Sequence, residues 1–170
     1  TKEVDPDSED VEERSKDKSK VQERPKMLLS LAVTEGIGHD KKERKHGMKT
    51  DVIDVRRAYL QARAKRDVYV NLPEEDWKEG MCGKLIKSMY GTRDAAHNWE
   101  EEYTGFMEQS GFEKGIGSPC RFHNTVENIR AVIHGDDFTM LGQEKDLNWF
   151  RTKIKEKFEV KFKARLGPDK

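Results

Sequence analysis

The sequence predicts an α+β fold, with helices packed on one face of an antiparallel sheet in a split βαβ-like order. Three observations carry that expectation. Residues 129–133 and 138–141, mostly apolar, flank a Gly-Asp turn, the pattern of a β-hairpin. Met48 to Val55 alternates as a strand does, with β-branched residues at its centre. Residues 92–110 and 143–157 repeat large apolar side chains every three or four positions, as a helix with one buried face requires.

Taken in order, residues 1–25 are almost all Asp, Glu, Lys, Arg and Ser, with Pro6 and Pro25. So little apolar surface cannot offset the entropy of ordering, and a disordered charged tail or linker is expected there. A single domain is expected over 26–170. Met27 to Val33 is apolar enough for a buried helix that Gly36 and Gly38 would stop. A basic loop follows over Lys41 to His46, then the strand ending at Val55. Asp67 to Leu72 reads as a second, shorter strand that Pro73 ends. In the helix over 92–110, Ala95, Trp99, Tyr103 and Phe106 share a face and leave Glu100, Glu101 and Glu108 to solvent; Gly111 is its natural stop. Cys120 to His123 is expected to be a strand, followed by the hairpin. The second amphipathic helix sets Leu147, Phe150, Ile154 and Phe158 on one side, and Phe158 to Phe162 alternates as a last strand.

Composition narrows the function. The 170 residues hold 33 basic and 33 acidic side chains, and the charged share, 39%, exceeds the hydrophobic share, 34%. That balance argues against a free-standing, strongly basic nucleic-acid module. No run of about 18 apolar residues is present, so no membrane span is expected. No signal peptide is recognisable and there is no initiator methionine; an intracellular piece of a longer polyprotein is expected. Cys82 and Cys120 lie far apart without zinc-like spacing and read as reduced thiols; Cys120 and His123 are only two ligands, too few for a metal site.

The chemistry concentrates in His134-Gly135-Asp136-Asp137, where an apolar hairpin narrows to its tip. Gly135 and Asp136 suit a turn, which accounts for one aspartate but not for two adjacent carboxylates. Asp54 is a further carboxylate, set in the apolar strand Val52 to Val55, where an unpaired charge is costly. Two readings stand: Asp54 pairs with Arg56, Arg57 or another base, or it converges with Asp136 on divalent cations. Oxygen-only ligands suit magnesium, and two such ions roughly 3.5–4 Å apart can clamp an in-line phosphoryl displacement.

Four blocks in order resemble one family. Asp54-Val55-Arg56-Arg57-Ala58-Tyr59-Leu60, then Val68-Tyr69-Val70-Asn71-Leu72-Pro73, is similar to the stretch that opens "DVKTAFL" and closes "YMEQP". Lys84 to Trp99 resembles "KLKKSLYGLKQAPRAW". Gly111-Phe112, with Ser118 to Phe122, resembles "GF…DPCLF", and His134 to Asp137 stands at "YVDD". By these blocks the chain resembles the copia-type retrotransposon reverse transcriptases from about Met27 to Gly167.

The resemblance implies a polymerase palm, an RNA-directed DNA polymerase domain of a Pol polyprotein that extends a primer 3′-hydroxyl by two-metal nucleotidyl transfer. It implies Asp54, Asp136 and Asp137 as catalytic residues, and the same three with Val55 as the site of two Mg²⁺ ions, Mn²⁺ being a substitute. Nucleotide would lie at Arg57, Ala58, Tyr59 and Asp94, and template–primer at Tyr90, Gly91, His134 and Gly135. Tyr59 stands where a ring excludes a ribose 2′-hydroxyl; read from the residues alone it is equally a core aromatic, and Trp99 is read as core. The implied partners are an RNA or DNA template–primer, deoxynucleoside triphosphates and the rest of the polyprotein, with no membrane. Fingers are expected upstream of Met27, where the charged run lies instead, and a thumb after Lys170, so both are expected to be largely missing. The sequence departs from the family pattern at Asp94 for glutamine, Ala96 for proline, Ser118 for aspartate, and His134-Gly135 for tyrosine-valine. Asp94 is expected to add negative charge near the triphosphate. Two other readings stand beside it: a catalytically inactive retroelement remnant acting at most as a binding module, and an unrelated metal-dependent phosphotransferase.

Overall fold

The structure, a computed structural model, describes residues 26–34 and 47–167. The tail over 1–25, the stops at Gly36 and Gly38, and the basic loop at Lys41 to His46 lie outside the described residues. A helix, α1, covers 26–33. Then follow β1 (Lys49–Val55), α2 (Ala58–Gln61), β2 (Tyr69–Val70), β3 (Gly83–Lys84) and α3 (Ala95–Gln109). The C-terminal half holds β4 (Glu113–Lys114), β5 (Arg121–Asn124), β6 (Ile129–His134), β7 (Asp137–Gly142), α4 (Glu144–Lys157) and β8 (Val160–Leu166). Six strands form one sheet in the order β4-β5-β6-β7-β1-β8, every neighbouring pair antiparallel. β2 and β3 make a separate two-stranded ribbon.

Alternation along the strands sorts side chains to the two faces. Ile53 and Val55 of β1, Ala131 and Ile133 of β6, and Phe138 and Met140 of β7 join one core with Trp99, Tyr103, Phe106 and Met107 of α3 and Leu147, Phe150 and Ile154 of α4. The helix periods read from the sequence are the faces used. Trp99 meets Tyr103 and Phe158 edge-on, at centroid distances of 5.5 and 5.1 Å, and Phe106 meets Phe158 at 5.2 Å. Each such buried side chain contributes about 2–3 kcal/mol over its exposed state, with about 1 kcal/mol more for a well-set aromatic pair.

The ends of α3 and α4 follow local rules. At the C-terminus of α3, Gly111 adopts φ +81°; its amide donates to Glu108, and the Phe112 amide to Met107, the paired bonds of a Schellman cap. Phe112 and Met107 are both buried, which completes that motif's apolar contact. α4 carries Glu144 and Asp146 in its first turn and Lys155 and Lys157 in its last, matching the helix dipole.

Two expectations need correction. The helices do not all pack on one face. α1 lies on the opposite side, where Leu28 packs with Met48, Val132 and Leu141. The reason is legible in hindsight: the apolar runs Ala131-Val132-Ile133 and Met140-Leu141 are continuous, so both faces of β6 and β7 need cover. The strand expected over Asp67 to Leu72 is reduced to Tyr69 and Val70, which pair with Lys84 and Gly83 instead of joining the main sheet. β3, β4, the short α2 and the 3-10 turn Glu74–Asp76 were not anticipated. Among the described residues no helix is long and apolar enough to cross a membrane.

Candidate active site

β1 runs between β7 and β8, and its register brings the acidic residues together. Asp54 pairs directly with Asp137 of β7, which pairs in turn with His134 of β6; on the other side Asp54 opposes Lys161 of β8. Directly opposed residues share a sheet face. One row across four strands therefore reads His134, Asp137, Asp54, Lys161. It lies on the face opposite α3 and α4, since Ile53 and Phe138, one residue away, enter their core.

Two carboxylates side by side repel, and the chain supplies a cation for them. Lys163 Nζ lies 2.8 Å from Asp54 Oδ1 and 2.9 Å from Asp137 Oδ1. Both contacts hold the Lys163 ammonium in its charged form, raising its pKa. Of the sequence readings of Asp54, pairing with a base is what the structure contains, though the base is neither Arg56 nor Arg57. Lys163 lies at a β-bulge: Val52 opposes Ala164 while Ile53 opposes Phe162, which leaves Lys163 as the extra residue. The bulge also turns Arg165 to the other face. There Asp51, fully buried, receives four hydrogen bonds of 2.7–2.8 Å, two from Arg151 of α4 and two from Arg165. Without the extra residue, Arg165 would point away from Asp51.

The turn between β6 and β7 is held as firmly. Gly135 has φ +59° and Asp136 keeps an ordinary negative φ, the pattern of a type II′ turn with glycine first. A β-branched residue, such as the family's valine, would be strained at this angle. The Trp99 indole N–H donates to the Gly135 carbonyl at 2.7 Å, and the Val55 amide to the Asp136 carbonyl at 2.8 Å. Trp99 is thus core, as expected, and also a support for the turn. The Asp136 side chain is exposed at the tip, outside the Asp54–Asp137 pair. Among the described residues no three His, Cys, Asp or Glu side chains are gathered as a metal cluster.

Beyond β1 the chain turns sharply at Arg57, a non-glycine residue in the left-handed region (φ 51°, ψ 44°). Arg56 and Arg57 both pair with Glu159. That contact raises the Arg57 pKa and lowers that of Glu159. Ala58 is buried in the core, so its methyl is a packing group. Tyr59 packs partly on the same core and stacks on Tyr90, the rings 4.5 Å apart at 33°. Gly91, next to it, takes φ +85°. These contacts join residues expected at the nucleotide to residues expected at the template. The negative charge that Asp94 adds has a local partner. It sits at the N-terminus of α3, and the Arg66 guanidinium at 2.9 Å holds its carboxyl below the usual range, with Asn98 donating at 3.3 Å.

Sequence reasoning missed Lys163, Asp51, Arg66 and the hydrogen bond of Trp99. Only the last had a local signal, because a buried indole N–H needs an acceptor.

The residues present fit a divalent cation in one respect that the structure itself supplies: two carboxylate oxygens from neighbouring strands already share a single positive charge. They are hard oxygen donors, the kind that magnesium takes.

Compared with known proteins, residues 26–167 match the family described as reverse transcriptase (RNA-dependent DNA polymerase). The chain is 29% identical over 106 residues to the retrovirus-related Pol polyprotein from transposon TNT 1-94 of Nicotiana tabacum, a match covering 59% of this chain and 8% of that protein. It is 32% identical over 116 residues to the truncated transposon Ty1-A Gag-Pol polyprotein of Saccharomyces cerevisiae, covering 64% of this chain and 9% of that one. A third relative, the Ty1-DR4 Gag-Pol polyprotein of the same yeast, is 29% identical over 118 residues, covering 67% and 7%. The matched stretch spans less than a tenth of the length of each of these relatives.

Proposed function

Because this chain belongs to the reverse transcriptase (RNA-dependent DNA polymerase) family, we propose that it is the palm of a copia-type polymerase, working within a longer Pol polyprotein. Its substrates would be deoxynucleoside triphosphates and an RNA or DNA template–primer. The observation that carries the proposal is the Asp54–Asp137 pair, which opposes two carboxylates on the sheet face away from α3 and α4. Asp54 and Asp137, with Asp136 at the turn and Val55 beside them, would hold Mg²⁺, with Mn²⁺ as a substitute. Bound there, divalent ions would supply the positive charge that favours a 3′-alkoxide and a departing pyrophosphate.

The chain's own residues contribute position. Trp99 and the Val55 amide fix the two carbonyls of the turn, so the carboxylates are set before substrate arrives, and preorganised charge is worth more than charge that must be arranged. Tyr59 against Tyr90 offers a flat aromatic edge for a nucleotide, and Tyr90 is half exposed for stacking a base. Arg57 is exposed and cationic beside them, suited to phosphate once it exchanges Glu159. His134 and Lys161 flank the carboxylates in the same row, and the Lys161 ammonium favours approach of a polyanion.

The test is primer extension on an RNA template with Mg²⁺, using the chain joined to the rest of its polyprotein. Asp54→Asn, Asp136→Asn and Asp137→Asn are each expected to lower incorporation by more than about 100-fold, more than loss of a group that merely supports a metal ligand. Full activity in Asp54→Asn or Asp137→Asn would overturn the proposal. Absence of incorporation by the unaltered protein would favour the inactive remnant.

A further inference from the structure

The geometry points to Lys163 as a built-in counter-cation of the acidic pair that a divalent ion must displace, so the chain sets its own threshold for metal loading. This inference rests on the reading of Asp54 and Asp137 as metal ligands. The ammonium touches one oxygen of each carboxylate, at 2.8 and 2.9 Å, and among the described residues neither carboxylate has another ion-pair partner. A metal shared by the two side chains would need the ground that the ammonium holds.

Charge balance favours exchange. Two carboxylates and one ammonium leave a negative charge unmatched, whereas a divalent ion neutralises both carboxylates. Departure of the lysine leaves no hole. Its side chain is 43% exposed, and a four-carbon stem can carry the ammonium into water. The resting contact is made from the bulge position of β8. Lys163 is the extra residue of β8, and the Asp51 clamp on Arg165 holds the strand in that register from the other face.

Partly exposed ion pairs are weak, so the lysine tunes the site and does not block it. Two such contacts correspond to a change of about five- to thirtyfold in a competing affinity.

The experiment is a titration of the 170-residue chain with Mn²⁺, followed by electron paramagnetic resonance of the free ion. Lys163→Met is expected to bind Mn²⁺ about five- to thirtyfold more tightly than the unaltered chain, and Asp137→Asn more weakly than either. In the unaltered chain labelled with ¹⁵N-lysine, the Lys163 ammonium signal, assigned by its loss in Lys163→Met, is expected to move as Mg²⁺ is added. That measurement decides the matter even if Lys163→Met does not fold. Equal Mn²⁺ affinity with and without Lys163, weakened in both by Asp137→Asn, would refute the displacement and leave the metal reading standing. An ammonium signal unmoved at saturating Mg²⁺ would refute it too. No divalent binding in any form would overturn both.

Discussion

Asp51→Asn removes the charge at the centre of the buried clamp while changing the side-chain volume very little. Asp51 is wholly buried, and each of its oxygens accepts from both Arg151 and Arg165. Asparagine keeps one acceptor but leaves two guanidinium groups close together without their counter-charge. Breaking a buried pair costs about 3–5 kcal/mol. Some of that is recovered, because Arg151 is 27% exposed and Glu144 lies 3.6 Å from Arg165. A loss of about 3 kcal/mol is therefore expected. In urea denaturation, with a slope of about 1–3 kcal/mol per molar, this lowers the midpoint by about 1–3 M. The same principle gives a contrasting expectation: Asp51→Leu combined with Arg151→Met and Arg165→Met should lose less than the single change, since no charge is left unpaired. A single variant that loses under about 1 kcal/mol, or a triple variant less stable than the single, would refute the assignment of this energy to charge.

Two further outcomes follow from the same contacts. Trp99→Phe is expected to cost about 2–3 kcal/mol, from the lost bond to Gly135 and the smaller ring. It should also speed amide exchange at Val55 more than an equally destabilising Phe138→Leu does; equal exchange in both would remove the role of Trp99 in holding the turn. His123 gives a pH signature: its Nε2 is buried with no hydrogen-bond partner among the described residues, and burial, then the neighbouring Arg130, holds its pKa below the usual range, against a smaller opposing pull from Glu113. A depressed folded value means that the unfolded chain takes the proton first. The His123 contribution is therefore complete above about pH 6.5 and is lost as pH falls through that value, until the folded group also protonates. Thermal melts from pH 7.5 to 5.5 should show a smaller fall for His123→Gln than for the unaltered chain, and parallel curves would count against it.

Much of the fold was legible because it is local. The alternation of Met48 to Val55, the helical spacing of Trp99, Tyr103 and Phe106, and the glycine after α3 each express the geometry of a few neighbouring residues. So did the hairpin, whose Gly135-Asp136 turn and flanking apolar runs appear within one stretch of the chain. Asp54 and Asp137, which the sheet register sets opposite each other, stood out in the same way, as charges where an apolar pattern expects none.

Amino-acid order by itself thus determined the long helices and strands of the core, the β6–β7 turn and the presence of Asp54 and Asp137, since periodicity and turn chemistry act over a few positions. Only the tertiary structure decided which carboxylates meet. Asp54 and Asp137 pair because β1 inserts between β7 and β8, a choice made by burial across the whole sheet. The bulge lies inside Lys161-Phe162-Lys163-Ala164-Arg165, whose alternation looks unbroken. Nothing in that stretch shows that one residue is counted twice on the same face. That single slip sends Arg165 to Asp51, on the side of the sheet opposite Lys163, because side chains alternate with a period of two and one extra residue reverses all that follow.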